Sequence, residues 1–322
     1  MQEQRKIAVL GAGFMGCAIA TLYARYGYDV ALHDINAAML DSYRVRALPI
    51  AESLTDAGHG VDDILANVRA EAPLDAAVDG AFLVHETVQE VLSIKQALFA
   101  RIDALCPPAT IFATNTSSYL LSDICKDVEH RERVLGIHYV TPAHIVQAVE
   151  LISADFTPPS LIDWGRDFLK TIDHIGIACL ERPGFLVNRI QFAMQQEIYR
   201  IMDEGLTSRE DVDAAVRLSL GPRLALWGPL LTEDLVASKK TAVAVSDYLH
   251  AQTGDPNFAS RAVLHRLVEQ GKLGAITGKG WYEFEADHAT VTSRRDGQLK
   301  ELLEWLRHRD PVGTIGLAAP AA

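Results

Sequence analysis

Ile7-Ala8-Val9-Leu10-Gly11-Ala12-Gly13-Phe14-Met15-Gly16 is the stretch on which the reading of the whole chain turns. Four apolar residues of strand length run straight into a G-x-G-x-x-G turn, and apolar residues at helical spacing begin at Phe14. In such a strand-turn-helix unit Gly11 permits the tight turn, Gly13 lets backbone N–H groups approach a pyrophosphate, and Gly16 lets helix and strand pack closely. Phe14 and Met15 open the helix, whose N-terminus turns partial positive charge toward the phosphates. The next strand, read over Asp29 to Asp34, ends in an acid 18 positions past the third glycine, close to the ~20 of the dinucleotide-binding fold. Asp34 would accept hydrogen bonds from a ribose 2'-OH and repel a 2'-phosphate, so the expected cofactor is NAD rather than NADP.

Outward from this turn, apolar runs of strand length recur at Val30 to Leu32, Ala81 to Val84, Ile111 to Ala113, Val134 to Ile137, Val149 to Ile152 and Ile175 to Leu180. Helical spacing separates most of them, at Phe14 to Tyr26, Ala37 to Ser53, Val91 to Leu105 and Leu161 to Ile172. Strands alternating with helices imply an α/β fold, a Rossmann-type doubly wound sheet over residues 1–182. The pattern stops at Arg182-Pro183-Gly184. Residues 183–322 read as a C-terminal all-helical domain, with helices over Phe185 to Met202, Ser208 or Arg209 to Leu218, Leu230 to Leu249 and Phe258 to Glu269. The only later strand run is Trp281 to Phe284. An extension from about residue 285 holds a short amphipathic helix near Leu299 to Leu306 and an Ala, Gly and Pro-rich end.

The 322 residues carry 30 Lys plus Arg against 42 Asp plus Glu, a formal charge of -12. With no basic run longer than Arg294-Arg295, neither nucleic acid nor an anionic membrane surface is an expected partner. No apolar stretch approaches the ~20 residues of a membrane span. Cys17, Cys106, Cys125 and Cys179 never meet at C-x-x-C spacing, so no metal site is expected, and scattered thiols fit a cytoplasmic chain.

Three further groups carry polar chemistry. Thr114-Asn115-Thr116-Ser117-Ser118 follows the strand Ile111 to Ala113, where a parallel sheet binds its ligands, although a polar loop or helix cap would read the same. If the strands around Ile137 and Leu151 form a hairpin centred on His144, then His138 and Glu150, each six residues away, face one another. A carboxylate beside an imidazole fixes its tautomer and raises its basicity, as a general base requires. Asn188, on the first turn after Pro183-Gly184, points to the seam between the domains, where two-domain dehydrogenases bind substrate. His33, His85 and His174 lack such pairing and read as structural.

Taken together these residues resemble the L-3-hydroxyacyl-CoA dehydrogenase family over about Ile7 to Phe284. The motifs that carry the likeness are the glycine turn at 11–16, Glu90 with Lys95, Asn115-Thr-Ser-Ser118, Gly136-Ile-His138, Val149-Glu150, Pro183-Gly-Phe-Leu-Val-Asn188-Arg189 and Thr277-Gly-Lys-Gly-Trp-Tyr282. The resemblance implies an NAD-dependent oxidation of a C3 hydroxyl in fatty acid metabolism by a homodimer. It casts His138 as the base, Glu150 as its orienting carboxylate, and Ser117 and Asn188 as holders of the substrate oxygens. Glu90, Lys95 and Asn115 become cofactor contacts.

Departures from the pattern bear on the substrate. Thr141-Pro142 stands where the family commonly has Asn-Pro. Residues 36–89, which in the acyl-CoA enzymes resemble a lysine-rich hairpin that meets CoA phosphates, contain no lysine and only Arg44, Arg46 and Arg69. Gly221-Pro-Arg223-Leu-Ala-Leu-Trp-Gly228-Pro229 is similar to the branch of lambda-crystallin, L-gulonate dehydrogenase and carnitine dehydrogenase, which handles small free acids. There Arg223 could clamp a substrate carboxylate, or it could cap a helix or pair with a neighbouring acid. Three functions follow: a 3-hydroxyacyl-CoA dehydrogenase, a dehydrogenase of a small polar 3-hydroxy acid, or a non-catalytic dinucleotide-binding protein.

Overall fold

Ile7, Ala8, Val9 and Leu10 are all buried, which a strand achieves only where both faces of its sheet are covered. The computed structural model describes residues 5–309. Its strands are β1 (Lys6–Leu10), β2 (Asp29–His33), β3 (Val68–Ala70), β4 (Leu83–Glu86), β5 (Ile111–Thr114), β6 (Val134–Tyr139), β7 (Ala148–Ser153) and β8 (Ile175–Leu180). They form one sheet in the order β3-β2-β1-β4-β5-β6-β7-β8. Pairing is parallel from β3 through β6, antiparallel between β6 and β7, and parallel again between β7 and β8.

The chain divides into two compact units, residues 1–196 and 197–322. In the first, α1 (Phe14–Arg25), α2 (Ala37–Asp41), α3 (Tyr43–Ser53), α4 (Val61–Ala66), α5 (Leu74–Val78), α6 (Leu92–Leu105), α7 (Leu121–Ile124) and α8 (Pro159–Lys170) surround the sheet. Residues of α1, α3 and α8 such as Leu22, Ile50 and Leu169 form the core of one face. Phe99, Ile102 and Ile124 of α6 and α7 form that of the other. This is the doubly wound α/β arrangement that the strand-helix alternation implies.

Local corrections have local causes. The helix expected over Ala37 to Ser53 breaks at Ser42, whose hydroxyl bonds back to the Ala38 carbonyl at 2.5 Å. The three-residue β3 lies outside the expected strands, because a run that short has no readable alternation. β4 is shifted to end at Glu86, and the polar His85 and Glu86 within it are nevertheless buried.

The helix α9 (Val187–Asp203) spans the division, and the second unit continues with α10 (Arg209–Ala215), α11 (Gly221–Val236), α12 (Lys239–Thr253), α13 (Ala262–Glu269) and α14 (His288–Arg307). A wider, π-helical turn at Val216–Leu220 follows α10. The expected helix over Leu230 to Leu249 is two helices, because Ala237 is extended and Ser238 caps α12 through the Lys240 N–H. Phe258 lies before α13, which starts only at Ala262. The short helix expected near Leu299 is the end of the twenty-residue α14, and the Ala, Gly and Pro-rich end lies outside the described residues.

No strand forms over Trp281 to Phe284. The one bridge there is the isolated Lys279–Glu283, and the Asp234 carboxylate takes the N–H groups of Trp281 (3.1 Å) and Tyr282 (2.9 Å) that a strand would use. Asp234 also pairs with the fully buried Lys239, which reaches Glu233 at 3.4 Å. Gly280 lies flat against this carboxylate, where a Cβ would overlap it. The motif Thr277 to Tyr282 is therefore a clasp that closes the helical unit.

Candidate active site

The glycine turn is closed on one side and open on the other. Gly11 has φ +113°, a region that disfavours side chains, and a Cβ there would stand 2.6 Å from the Thr87 carbonyl oxygen. A Cβ on Gly16 would overlap the Gly11 carbonyl oxygen and lie 2.7 Å from the Thr87 hydroxyl. Around Gly13, by contrast, nothing lies within 4 Å of where a Cβ would point. Gly13 is the N-cap of α1 and offers its first-turn N–H groups no side-chain partner. Asp34 stands beside the turn, its carboxylate accepting the N–H groups of Ala12 and Asn36, each at 2.8 Å. From α3, Arg46 braces the turn by donating to the Ala12 carbonyl at 3.0 Å. Open space over uncapped amides, next to an acid, fits the pyrophosphate and ribose of NAD.

The β6–β7 hairpin sets His138 directly opposite Glu150. The His138 Nδ1 lies 2.7 Å from Glu150 Oε2, while Glu150 Oε1 accepts the N–H groups of Leu186 and Val187, both at 2.8 Å. Gly184 (φ +78°) and Phe185 (φ +49°) turn the chain so that these two amides face the carboxylate at the start of α9. Burial opposes ionisation of Glu150, yet the hydrogen bonds from His138, Val187 and Leu186 outweigh it and hold its carboxyl below the usual range. Glu150 is thus an anion at neutral pH, and it fixes the Nδ1–H tautomer of His138. Among the described residues nothing bonds to Nε2, the nitrogen left to accept a proton. The buried Phe185 ring lies 6.0 Å from the imidazole.

At the end of β5, Asn115 accepts the Tyr139 N–H through Oδ1 at 2.8 Å, tying this loop to the His138 strand. Asn188 donates from Nδ2 to the Ser117 carbonyl at 3.0 Å, so the two expected oxygen-holding residues are brought together. The Ser117 hydroxyl has no partner among the described residues. Glu90 accepts from the Thr116 hydroxyl (2.6 Å), the Ser118 hydroxyl (2.8 Å) and the Ser117 N–H (3.2 Å). Lys95 is buried, its Nζ 2.6 Å from Glu86 and 3.1 Å from Glu90. Sequence reasoning missed Glu86 and gave Thr116 no role within its motif; the contacts of Glu86 with Lys95 and of Thr116 with Glu90 give them away.

His85 is the buried structural histidine that its lack of a carboxylate partner implies. Burial pushes its pKa down to about 3, and the neutral ring bridges the Tyr23 hydroxyl (2.8 Å) and the Ile137 carbonyl (3.1 Å). Arg223 belongs to the second unit, where its guanidinium donates to the Ser219 carbonyl (2.9 Å) and hydroxyl (3.0 Å) of the π-helical turn. No carboxylate among the described residues pairs with it. Of the three arginines in 36–89, Arg46 is engaged with the glycine turn and Arg69 with Asp29 at 2.8 Å, and Arg44 lies over the Tyr43 ring.

An imidazole held by a carboxylate, at the ligand-binding edge of a dinucleotide-binding sheet, fits a nicotinamide-dependent dehydrogenase. The sequence narrows the class. Residues 6–182 match the family model for the NAD binding domain of 3-hydroxyacyl-CoA dehydrogenase, and residues 184–284 match that for its C-terminal domain. The chain belongs to the 3-hydroxyacyl-CoA dehydrogenase family and is an NAD-dependent dehydrogenase. It is 29% identical to a 3-hydroxybutyryl-CoA dehydrogenase of Clostridioides difficile, over 87% of this chain and 99% of that one. A crystal structure of a 3-hydroxyacyl-CoA dehydrogenase from Archaeoglobus fulgidus superposes with TM-score 0.81 at 28% identity, covering 95% of this chain and 100% of the other. The 5-formyl-3-hydroxy-2-methylpyridine 4-carboxylate 5-dehydrogenase of Mesorhizobium japonicum is 30% identical over 86% of this chain and 90% of its own length. A solved structure of an enzyme of that description has TM-score 0.71 at 26% identity, covering 96% of this chain and 100% of that one.

Proposed function

We propose that the chain oxidises the C3 hydroxyl of a 3-hydroxyacyl-CoA to the 3-oxo compound, with His138 as general base. The His138–Glu150 pair is the observation that carries this reading. NAD, when bound, supplies the hydride acceptor. His138 Nε2 takes the hydroxyl proton as hydride leaves C3, and Glu150 stabilises the imidazolium. Ser117 and Asn188 position the substrate oxygens, which contributes orientation rather than bond chemistry. Gly11, Gly13, Phe14, Met15, Gly16, Asp34, Glu90, Lys95 and Asn115 hold or flank the cofactor.

A second reading, oxidation of a small free hydroxy acid, is favoured by Arg223 and by charge. Residues 36–89 hold nine acidic residues against three arginines, a poor surface for the phosphates of CoA. Arg223, unpaired by any acid among the described residues and bonded to Ser219, suits a substrate carboxylate. A screen of NAD reduction with 3-hydroxybutyryl-CoA, L-gulonate, carnitine and other 3-hydroxy acids tests both. On the second reading Arg223→Ala raises KM for the free acid by roughly 10- to 100-fold, the value of a charge-assisted hydrogen bond. Efficient acyl-CoA turnover that ignores this substitution supports the first.

We take residues 1–182 as the NAD domain and 183–322 as a substrate and dimerisation domain, in a cytoplasmic homodimer. Free thiols support the compartment. Among the described residues of the second unit, Pro222 and Ala275 are the only aliphatic or aromatic side chains that are buried, while Val245, Tyr248 and Trp305 stay more than half exposed. A helical unit with so little core of its own supports a second copy as its cover. Sedimentation equilibrium is expected to give twice the chain mass at all accessible concentrations; a stable, folded monomer refutes the dimer.

A further inference from the structure

We propose that Glu86 is a positioning residue for the reaction: it holds Lys95, Lys95 holds Glu90, and Glu90 sets the loop that carries Ser117. The inference rests on the substrate-holding role of Ser117 proposed above. Glu86 closes β4 with no exposed surface, and both of its oxygens are engaged. Oε1 accepts from Lys95 Nζ at 2.6 Å and from the Val88 N–H at 2.7 Å, and Oε2 accepts from the Thr114 hydroxyl at 2.6 Å. One carboxylate therefore ties together the ends of β4 and β5 and the buried face of α6.

Placing an acid here is costly. Burial raises the Glu86 carboxyl above its usual range even against the pull of Lys95 and Thr114, and an apolar residue of similar size would fill the site without that penalty. What the acid achieves is a division of labour. Two carboxylates share one ammonium, so Lys95 is anchored by Glu86 and contacts Glu90 through Oε2 alone. Oε1 of Glu90 is thereby left to accept from Thr116, Ser117 and Ser118. With Glu86 neutral, Lys95 has a single carboxylate partner and draws both Glu90 oxygens, at the expense of the loop.

Hydrogen exchange and kinetics of Glu86→Gln test this, with Ser117→Ala and the double variant alongside. Exchange of the 114–119 amides is expected to rise, and kcat/KM for the hydroxy substrate to fall by about 10- to 100-fold, as for lost supporting contacts. In the Ser117→Ala background the same change should cost less than about 2-fold, since the two act as one unit. A purely structural Glu86 would give multiplying losses, and that result overturns the proposal. So does a folded Glu86→Gln enzyme with unaltered exchange and turnover. If Glu86→Gln does not fold, Thr116→Val removes the 2.6 Å bond at the far end without neutralising a buried charge, and the same non-additivity is expected. Raised loop exchange combined with a kinetically silent Ser117→Ala supports the relay and removes instead the substrate role of Ser117.

Discussion

In His138→Ala, kcat is expected to fall by roughly 10²- to 10⁴-fold, the loss typical of a general base, while NAD still binds. The two effects separate because the groups that fit NAD lie on the β1–α1 turn and at Asp34, whereas the imidazole belongs to the β6–β7 hairpin. Removing the ring leaves Glu150 Oε2 buried without its 2.7 Å partner, which costs about 1–3 kcal/mol of stability. His138→Gln controls for that cost, since an amide N–H can still serve Glu150 but no group remains to take the proton. Stopped-flow turnover with NAD affinity measured by fluorescence reads both quantities. Undiminished turnover in His138→Ala would dismiss His138 as the base.

Gly16→Ala is the second large effect. Its Cβ would overlap the Gly11 carbonyl oxygen and crowd the Thr87 hydroxyl at 2.7 Å, and neither backbone can retreat because the Thr87 N–H is bonded to the Leu10 carbonyl at 2.7 Å. The turn must open, at about 1–3 kcal/mol or more in stability and with loss of the aligned amides. NAD affinity is expected to fall by at least about 100-fold, the equivalent of roughly 2.7 kcal/mol. Gly13→Ala makes a pointed comparison: its methyl enters open space, so the apoprotein should melt within a degree or two of the parent while NAD binding weakens. Thermal melts with and without NAD distinguish the two sites, and equal destabilisation of both apoproteins would contradict the packing described for Gly16.

The parts that were legible in the sequence are those governed by spacing along one or two strands. The glycine turn is read from ten consecutive positions, and the facing of His138 and Glu150 follows from two equal distances to His144, since an antiparallel pair keeps a constant sum of residue numbers. Glu86 was invisible because its partners, Thr114 and Lys95, come from a neighbouring strand and a helix, and no local pattern distinguishes it from a solvated acid. The two amides that cap Glu150 depend on the backbone turn at Gly184 and Phe185, which a Pro-Gly dipeptide signals only as a break. In the helical unit, periodicity located most helices but not their ends: the helix read over Leu230 to Leu249 is broken at Ala237, and α11 already begins at Gly221, nine residues before Leu230, where Gly228 and Pro229 obscure its spacing. Amphipathic spacing also says that a face is apolar without saying what covers it.

The Asp234 clasp has a consequence for how such chains evolve and are catalogued. Gly280, Trp281 and Tyr282 are held by Asp234 beside the buried Lys239, and none of the five residues belongs to the His138 constellation. A gene copy that lost its imidazole by drift would keep this signature intact, because selection for a folded helical unit maintains it independently of turnover. Sorting descendants of this lineage into working enzymes and silent paralogues therefore depends on positions 138 and 150, and the Gly-Lys-Gly-Trp-Tyr stretch carries no vote.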